Sequence, residues 1–419
     1  MKYKTYNCNS FNIYTIKTDR FKTSHLEVIF KNVLKKEEIG TYSFLADMLS
    51  EGCKKYPRKK DLITRFEELY KIVIYASTMR VGNVIDLHVS LDFINPEYIE
   101  DEGYIEDVIK TLFEVILNPN VCNDEFDLKT FNIVKERLRR EINSLKENPV
   151  KQSIKEAIKT MDSNSPTSYE ILGTIEELEN ITPAKLYNAY KSLRKNFKVD
   201  VFLIGNLDMD NVASLIKKYF KNRYIVSDNF EVMVDNKETK KVKEKTMKSD
   251  NIQTNLVMLF NLKNLSELEK NITLNCFNYL YGSGGLTSKL YKSIREENSL
   301  CYAINSMYLK YDKLLMVQIS LDNCNVKKAI SLVKKELKSM QNGNFSEEEV
   351  RDAINNMVIS LDMSLDNNIA ILNNYVFNIY DKLPSIEERK EYFKKLTKED
   401  IVNVSKKVKL NTIFTLEGR

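Results

Sequence analysis

The feature that most constrains this chain is an internal echo: two stretches follow one pattern, the second 230 positions after the first. His25-Leu26-Glu27-Val28-Ile29-Phe30 is answered by Asn255-Leu256-Val257-Met258-Leu259-Phe260, and Val89-Ser90-Leu91-Asp92 by Ile319-Ser320-Leu321-Asp322. The match continues in Val108, Ile109 and Leu112 against Ala329, Ile330 and Val333, and in Asn120 to Phe126 against Asn342 to Phe345 with shorter spacing. Thr182, Pro183 and Gly205 are answered by Thr397 and Gly418. A period of roughly 200 residues is too long for a solenoid, so it implies two tandem homologous domains. A chain of 419 residues gives each half enough material to enclose its own core.

Composition narrows the class. With 64 basic and 59 acidic residues, the net charge of +5 is a small surplus on a densely charged surface. A nucleic-acid binder would carry a clustered basic stripe instead, and the Lys-rich stretch 237–248 reads as a solvated connection. The six cysteines (Cys8, Cys53, Cys122, Cys276, Cys301, Cys324) show no Cys-x-x-Cys spacing, and the N-terminus lacks a secretory pattern. A reduced, cytoplasmic protein is expected. Apolar runs such as 112–117 fall far below the roughly 18 residues of a membrane span, so no membrane partner is expected.

Strand patterns fall at 26–30, 72–78, 85–92 and 199–204, then at 257–260, 301–308, 314–321 and 412–416. Helical periodicity fills 40–50, 60–69, 105–117, 127–147 and 183–193, with a matching later set in which Ser346 caps an acidic first turn. The expected class is α+β: two tandem domains, each an antiparallel sheet with helices packed on one face. Residues 1–223 form the first domain, the charged stretch 224–250 a linker, and 251–419 the second domain.

Familiar catalytic devices are scarce. The two histidines, His25 and His88, sit in strand patterns without metal-ligand spacing and read as ordinary strand residues. No Gly-x-Gly-x-x-Gly, Walker loop or Gly-x-Ser-x-Gly elbow occurs. The single glycine cluster, Gly282-Ser283-Gly284-Gly285, precedes an expected helix over 287–297. It lacks the Lys-Ser/Thr ending of a phosphate cradle and reads as a flexible turn.

That turn carries a specific resemblance. Gly282-Ser283-Gly284-Gly285-Leu286-Thr287-Ser288-Lys289-Leu290-Tyr291, followed by Arg295 and by Leu300-Cys301-Tyr302, is similar to the second-domain signature of the pitrilysin/insulinase family of zinc peptidases. Gly173 to Leu178 before Ile181-Thr182-Pro183, and Asp200 to Gly205 closing the first half, extend the resemblance over the whole chain. The family's inverted zinc motif, His-Phe-x-Glu-His-Met-Leu, falls on Ser43-Phe44-Leu45-Ala46-Asp47-Met48-Leu49. Two His one helical turn apart can share a zinc, with a Glu beside them to activate water. Ser43, Ala46 and Asp47 remove both histidines and the glutamate, and the third ligand position, Glu141, is left as a surface charge. No zinc is expected in this chain.

Arg295 and Tyr302 correspond to the family's substrate-holding pair, donors that strengthen as charge develops on an attacked carbonyl. Zinc loss with retention of this pair resembles the non-catalytic subunits of bacterial heterodimers. That resemblance implies a zinc-bearing paralogue as partner, with Arg295 and Tyr302 acting in trans. Unstructured peptide would be the substrate, adding to an edge strand at Ala76, Ser77 and Thr78 and running past Gly284 and Gly285. A structural scaffold, or a homodimeric peptide-binding protein without a proteolytic role, are the alternatives.

Overall fold

The computed structural model describes residues 1–222, 224–227, 229–237 and 239–419, the side chain at position 146 excepted. The expected domain end at 223, and positions 228 and 238 of the expected linker, lie outside the described residues. In chain order the first elements are β1 (Lys2–Asn7), β2 (Phe11–Lys17), β3 (Thr23–Val33), α1 (Ile39–Leu49), α2 (Lys59–Glu68), β4 (Val73–Val81), β5 (Val84–Ile94), α3 (Tyr104–Leu117) and the short hairpin β6 (Val121–Cys122) and β7 (Glu125–Phe126). There follow α4 (Leu128–Glu147), α5 (Pro149–Asp162), α6 (Ile175–Glu179), α7 (Pro183–Asn196), β8 (Lys198–Gly205) and α8 (Met209–Tyr219). The later elements are β9 (Lys243–Lys248), β10 (Thr254–Leu262), α9 (Leu274–Asn278), β11 (Cys301–Leu309), β12 (Leu314–Leu321), α10 (Val326–Gln341), α11 (Glu347–Ser364), α12 (Asn368–Asp381), α13 (Ile386–Lys394), α14 (Lys398–Ser405) and β13 (Val408–Glu417).

The first unit is built on a sheet ordered β1-β2-β8-β3-β5-β4, antiparallel except at the β2–β8 pair. Successive strand residues point to opposite faces. Leu26, Val28 and Phe30 of β3 therefore enter the main core together with apolar residues of α1, α3, α7 and α8. His25, Glu27, Ile29 and Lys31 turn to the far face. The second unit repeats the scheme. Its sheet runs β11-β12-β10-β13-β9, matching β4-β5-β3-β8-β2 strand for strand, with the single parallel pair again in the corresponding place.

The echoed residues now have physical reasons. Thr182 and Thr397 are N-caps, their side chains accepting from the backbone N–H of Lys185 and Asp400 as α7 and α14 begin. Gly205 and Gly418 close the equivalent strands where neighbouring chain runs too near for a side chain. A Cβ at Gly205 would lie 1.8 Å from Ser24 Oγ, and one at Gly418 would lie 2.8 Å from the Gln253 carbonyl carbon.

The tandem α+β architecture is as expected, with helices against the main core face of each sheet and one further helix on the far face. In the second unit that helix is α5, whose Ala157, Ile158 and Met161 pack with Val257, Leu259, Leu314, Met316, Phe414 and Leu416. In the first it is the beginning of α12. Its Tyr375 ring lies 4.9 Å from Tyr3, 6.1 Å from Tyr14 and 6.4 Å from Phe202. The compact units consequently interleave along the sequence: Met1–Asn143, Tyr169–Val232 and Asn367–Val376 make the first, and Ser144–Ser168, Met233–Asp366 and Phe377–Arg419 the second. The stretch 224–250, read as a plain linker, contains β9, a sheet edge paired in parallel with β13. Its Lys-Glu-Lys-Thr-Met-Lys sequence hides the strand, because backbone hydrogen bonds hold it and five of its six side chains face solvent.

Candidate functional site

The helix that would bear a zinc motif, α1, is almost wholly buried. Ser43 donates a hydrogen bond to the Ile171 carbonyl, and its Oγ lies 2.6 Å from the Thr78 hydroxyl. Ala46 is packed in the core. Asp47 meets an arginine rather than a metal: Arg137 of α4 places one guanidinium nitrogen 3.1 Å from Asp47 Oδ2 and the other 2.7 Å from Glu51 Oε1. Lys59 adds a 3.0 Å contact to Glu51.

Burial pushes the Asp47 carboxyl up, with Arg137 opposing. Burial also works against ionisation of Glu51, but hydrogen bonds from Arg137 and Lys59 outweigh it and hold that carboxyl low. Glu141 lies exposed on α4, one turn beyond Arg137. A hydroxyl already engaged, a methyl and a carboxylate bound to a guanidinium do not make a zinc donor set. Among the described residues, no group of three or more His, Cys, Asp or Glu is disposed to hold a metal.

Ala76, Ser77 and Thr78 lie in β4, which is an edge of its sheet. Part of that edge is already in use. The Ala76 N–H donates to Ser50 Oγ at 3.0 Å, and Thr78 is tied to Ser43. Ser77 lies opposite His88 in the strand register.

In the second unit, the expected helix over 287–297 is present from Lys289 to Glu296, preceded by a 3₁₀ turn, Gly285–Thr287, and wound with wide i→i+5 bonds over Tyr291–Glu296. Such wide turns are uncommon and often accompany functional sites. Gly282 is required by close approach, since a Cβ there would lie 2.6 Å from Ser306 Oγ. Gly285 adopts φ +58° beside open space, a conformation glycine reaches without strain.

The fold brings Arg295 and Tyr302 together: the guanidinium donates to the Tyr302 carbonyl at 2.7 Å and stands over the Tyr291 ring at 5.2 Å. Both side chains are exposed, and the Tyr302 hydroxyl donates to Asp322 Oδ1 at 3.0 Å. That bond holds the phenol proton and raises its pKa. Sequence reasoning missed Ser50, Glu51, Arg137 and Asp322. Charge spacing on α4 could have suggested Arg137; the others depend on contacts between distant elements.

Residues 180–357 match the family model described as the peptidase M16 inactive domain. A curated relative, the "Probable inactive metalloprotease YmfF" of Bacillus subtilis strain 168, is 26% identical over 412 residues, covering 96% of this chain and 95% of its own. Over those residues the chain is similar to the M16 peptidase family, and along nearly its whole length to that relative. This similarity agrees with the pitrilysin/insulinase resemblance read from the motifs. Two crystal structures share the fold seen here. A conserved protein from Enterococcus faecalis V583 superposes with a TM-score of 0.93 at 23% identity, covering 100% of this chain and 99% of that one. A peptidase M16 inactive domain from Pseudomonas fluorescens gives 0.81 at 16% identity, again over 100% and 99%. No helix among the described residues is long and apolar enough to cross a membrane.

Proposed function

We propose that this chain is the zinc-less subunit of a heterodimeric zinc metalloendopeptidase, binding an unstructured peptide and lending Arg295 and Tyr302 to a zinc-bearing paralogue. The observation that carries this reading is an asymmetry. The zinc corner on α1 has been rebuilt around Arg137, whereas Arg295, on the wide turn Tyr291–Glu296, and Tyr302, on β11, stay adjacent and exposed.

A guanidinium and a neutral phenol are hydrogen-bond donors suited to the oxyanion of a tetrahedral intermediate. Asp322 keeps the phenol protonated, and Tyr302 would exchange that acceptor for the oxyanion. The partner would supply zinc and the His-x-x-Glu-His helix, this chain holding no cofactor of its own. Peptide would run along the β4 edge at Ala76, Ser77 and Thr78, displacing Ser50 from the Ala76 N–H, while Gly285, beside open space, leaves room for backbone elsewhere and Gly284 makes way for the Tyr279 carbonyl of its own chain. Six free cysteines suit a reducing, cytoplasmic setting.

A second reading, a structural scaffold or homodimeric peptide binder, draws support from the same pair. Arg295 and Tyr302 already satisfy acceptors within this chain, the Tyr302 carbonyl and Asp322. Mixing wild-type or variant chain with the zinc-bearing paralogue and measuring turnover of one unstructured peptide separates the two. Arg295→Ala and Tyr302→Phe are expected to lower turnover about 10²- to 10³-fold with the dimer intact by size exclusion. Wild-type rates from intact mutant dimers would make the scaffold reading the better one.

A further inference from the structure

The duplication that relates the two sheets is incomplete. In the first unit, β2 has a further strand outside it: β1 runs antiparallel along it from Lys2 opposite Lys17 to Asn7 opposite Asn12. The counterpart of β2 is β9, which pairs with β13 on one side and, among the described residues, with no strand on the other. The second sheet therefore ends one strand short of the first. Its open edge faces solvent, since every β9 residue but the half-buried Met247 is exposed.

Alternation tells which backbone groups line that edge. The Ser249 N–H donates to the Glu417 carbonyl at 2.8 Å, and in a parallel pair alternate residues bond to the neighbouring strand. Lys243, Lys245 and Met247 accordingly turn their backbone to β13. Glu244, Thr246 and Lys248 turn theirs to the empty side, where none has a further partner among the described residues. Such a row of open donors and acceptors is a template for an added strand.

The side chains select which strand. Residues 240–248 hold five lysines against one glutamate. Lys243 and Lys245 lie on the α5 side of the sheet, where Lys243 Nζ donates to the Met161 carbonyl and Lys245 stands 3.9 Å from Glu156. Glu156 also has Lys159 at 4.0 Å, so one carboxylate serves two ammonium groups at long range. Lys240, Lys241 and Lys248 are exposed and form no ion pair among the described residues. Lysines on an edge keep like strands away. A second copy of β9 would bring its own lysines to the same edge, where like charges directly opposite destabilise, whereas carboxylates in those positions are favourable.

We propose that the β9 edge docks an acidic, extended segment of another protein, which adds as a sixth strand where β1 stands in the first sheet. Its backbone would pair with Glu244, Thr246 and Lys248, and its carboxylates would meet Lys243, Lys245 and Lys248. The β4 edge, Arg295 and Tyr302 take no part, so the site is independent of any peptidase role.

Fluorescence anisotropy on the full chain with labelled acetyl-Thr-Glu-Val-Glu-Val-Glu-Thr-amide tests it. Saturable binding is expected, about ten-fold weaker or worse when lysine replaces glutamate, or when one of the two alternating sets of peptide amides is N-methylated to remove its pairing donors. Thr246→Pro removes an outward N–H and leaves the bonds to β13, so it should weaken binding similarly with the circular dichroism spectrum unchanged. Lys245→Glu combined with Lys248→Glu should abolish binding, and this pair with the N-methylated peptides decides the matter if Thr246→Pro fails to fold.

Binding that ignores a folded Thr246→Pro chain would put the peptide on another edge. Equal binding of both N-methylated sets and the parent peptide would reduce the contact to charge alone, and self-association of the chain that Thr246→Pro abolishes in sedimentation would make a second copy the occupant. Each of these, or no saturable binding at millimolar acidic peptide in low salt, would overturn the proposal.

Discussion

The two sheets share strand order and even the place of their one parallel pair, yet their far faces are chemically opposite. Behind the second sheet, α5 seals an apolar layer of Val257, Leu259, Leu314, Met316, Phe414 and Leu416. On the far face of the first, the equivalent strands bury charge. His25 meets Asp92 at 2.7 Å, His88 meets Glu27 at 2.9 Å, and Lys198 meets Asp200 at 3.2 Å. Position by position, Glu27 stands for Val257, Asp86 for Met316 and His88 for Gln318. The near-face residues Leu26, Val28 and Phe30 remain apolar like Leu256, Met258 and Phe260. A duplicated backbone thus keeps the pattern that builds its main core while the reverse side is free to take on other chemistry.

The sharpest way to separate the faces is to remove one large side chain from the apolar one. Phe414 is fully buried, so Phe414→Ala should cost about 3 to 5 kcal/mol, read as a lower urea midpoint at unchanged slope. A loss below about 1 kcal/mol would mean that α5 does not seal that face.

On the polar face, His88→Leu strands the buried Glu27 and should cost about 3 kcal/mol, whereas the double change with Glu27→Leu should recover most of it. The recovery is expected because Glu27 Oε2 and His88 Nε2 have no partner among the described residues, so the pair already carries an uncompensated desolvation cost. Additive losses in the double variant would show instead that the pair is net stabilising.

The faces should also differ with pH. Burial disfavours both charged partners, but their mutual hydrogen bond outweighs it, so the Glu27 carboxyl is held low and the His88 imidazole high. A lowered carboxyl contributes stability above its unfolded value near 4.3, lost as pH falls; a raised imidazole contributes below its unfolded value near 6.5, lost as pH rises through the folded value. The pair's contribution should therefore peak in mild acid. Urea midpoints of wild type minus the double variant at pH 5.5, 7 and 9 check it, and a flat difference would contradict the pairing.

The smallest effect belongs to the aspartates that end the equivalent strands. Asp92 serves buried His25, whereas Asp322 only accepts from the exposed Tyr302. Tyr302→Phe should shift stability by less than about 0.5 kcal/mol, measured by the same denaturation, even where it changes turnover in a complex.

Much of this was legible because burial leaves a period. The eight strands read from the sequence appear within a few residues of their expected ends, and the echo located both sheets. Four things left no such trace. Strand β2 is buried on both faces but mixes Asn12, Thr15 and Lys17 with its apolar residues, so no clean alternation shows, and β1 and β9 are held by backbone pairing under exposed side chains. The wide winding of Tyr291–Glu296 shares the composition of an ordinary helix. Helix α5 has an amphipathic stripe, but a stripe does not say which sheet it will cover. At the candidate site, the loss of zinc ligands could be read from Ser43, Ala46 and Asp47, while their replacement by Arg137 required α1 and α4 to be placed side by side.

The exchange of far-face helices also governs how this chain can be made and cut. Synthesis proceeds from the N-terminus, so the first sheet stands complete long before Val376, the last residue of its compact unit, leaves the ribosome. For more than 150 residues of translation, Tyr14 and Phe202 await the aromatic ring of Tyr375. A protein divided at its charged middle would fare no better. A fragment of residues 251–419 would present Phe414 and its neighbours without α5 and would also lack the edge strand β9, so the two halves would need each other as nascent partners.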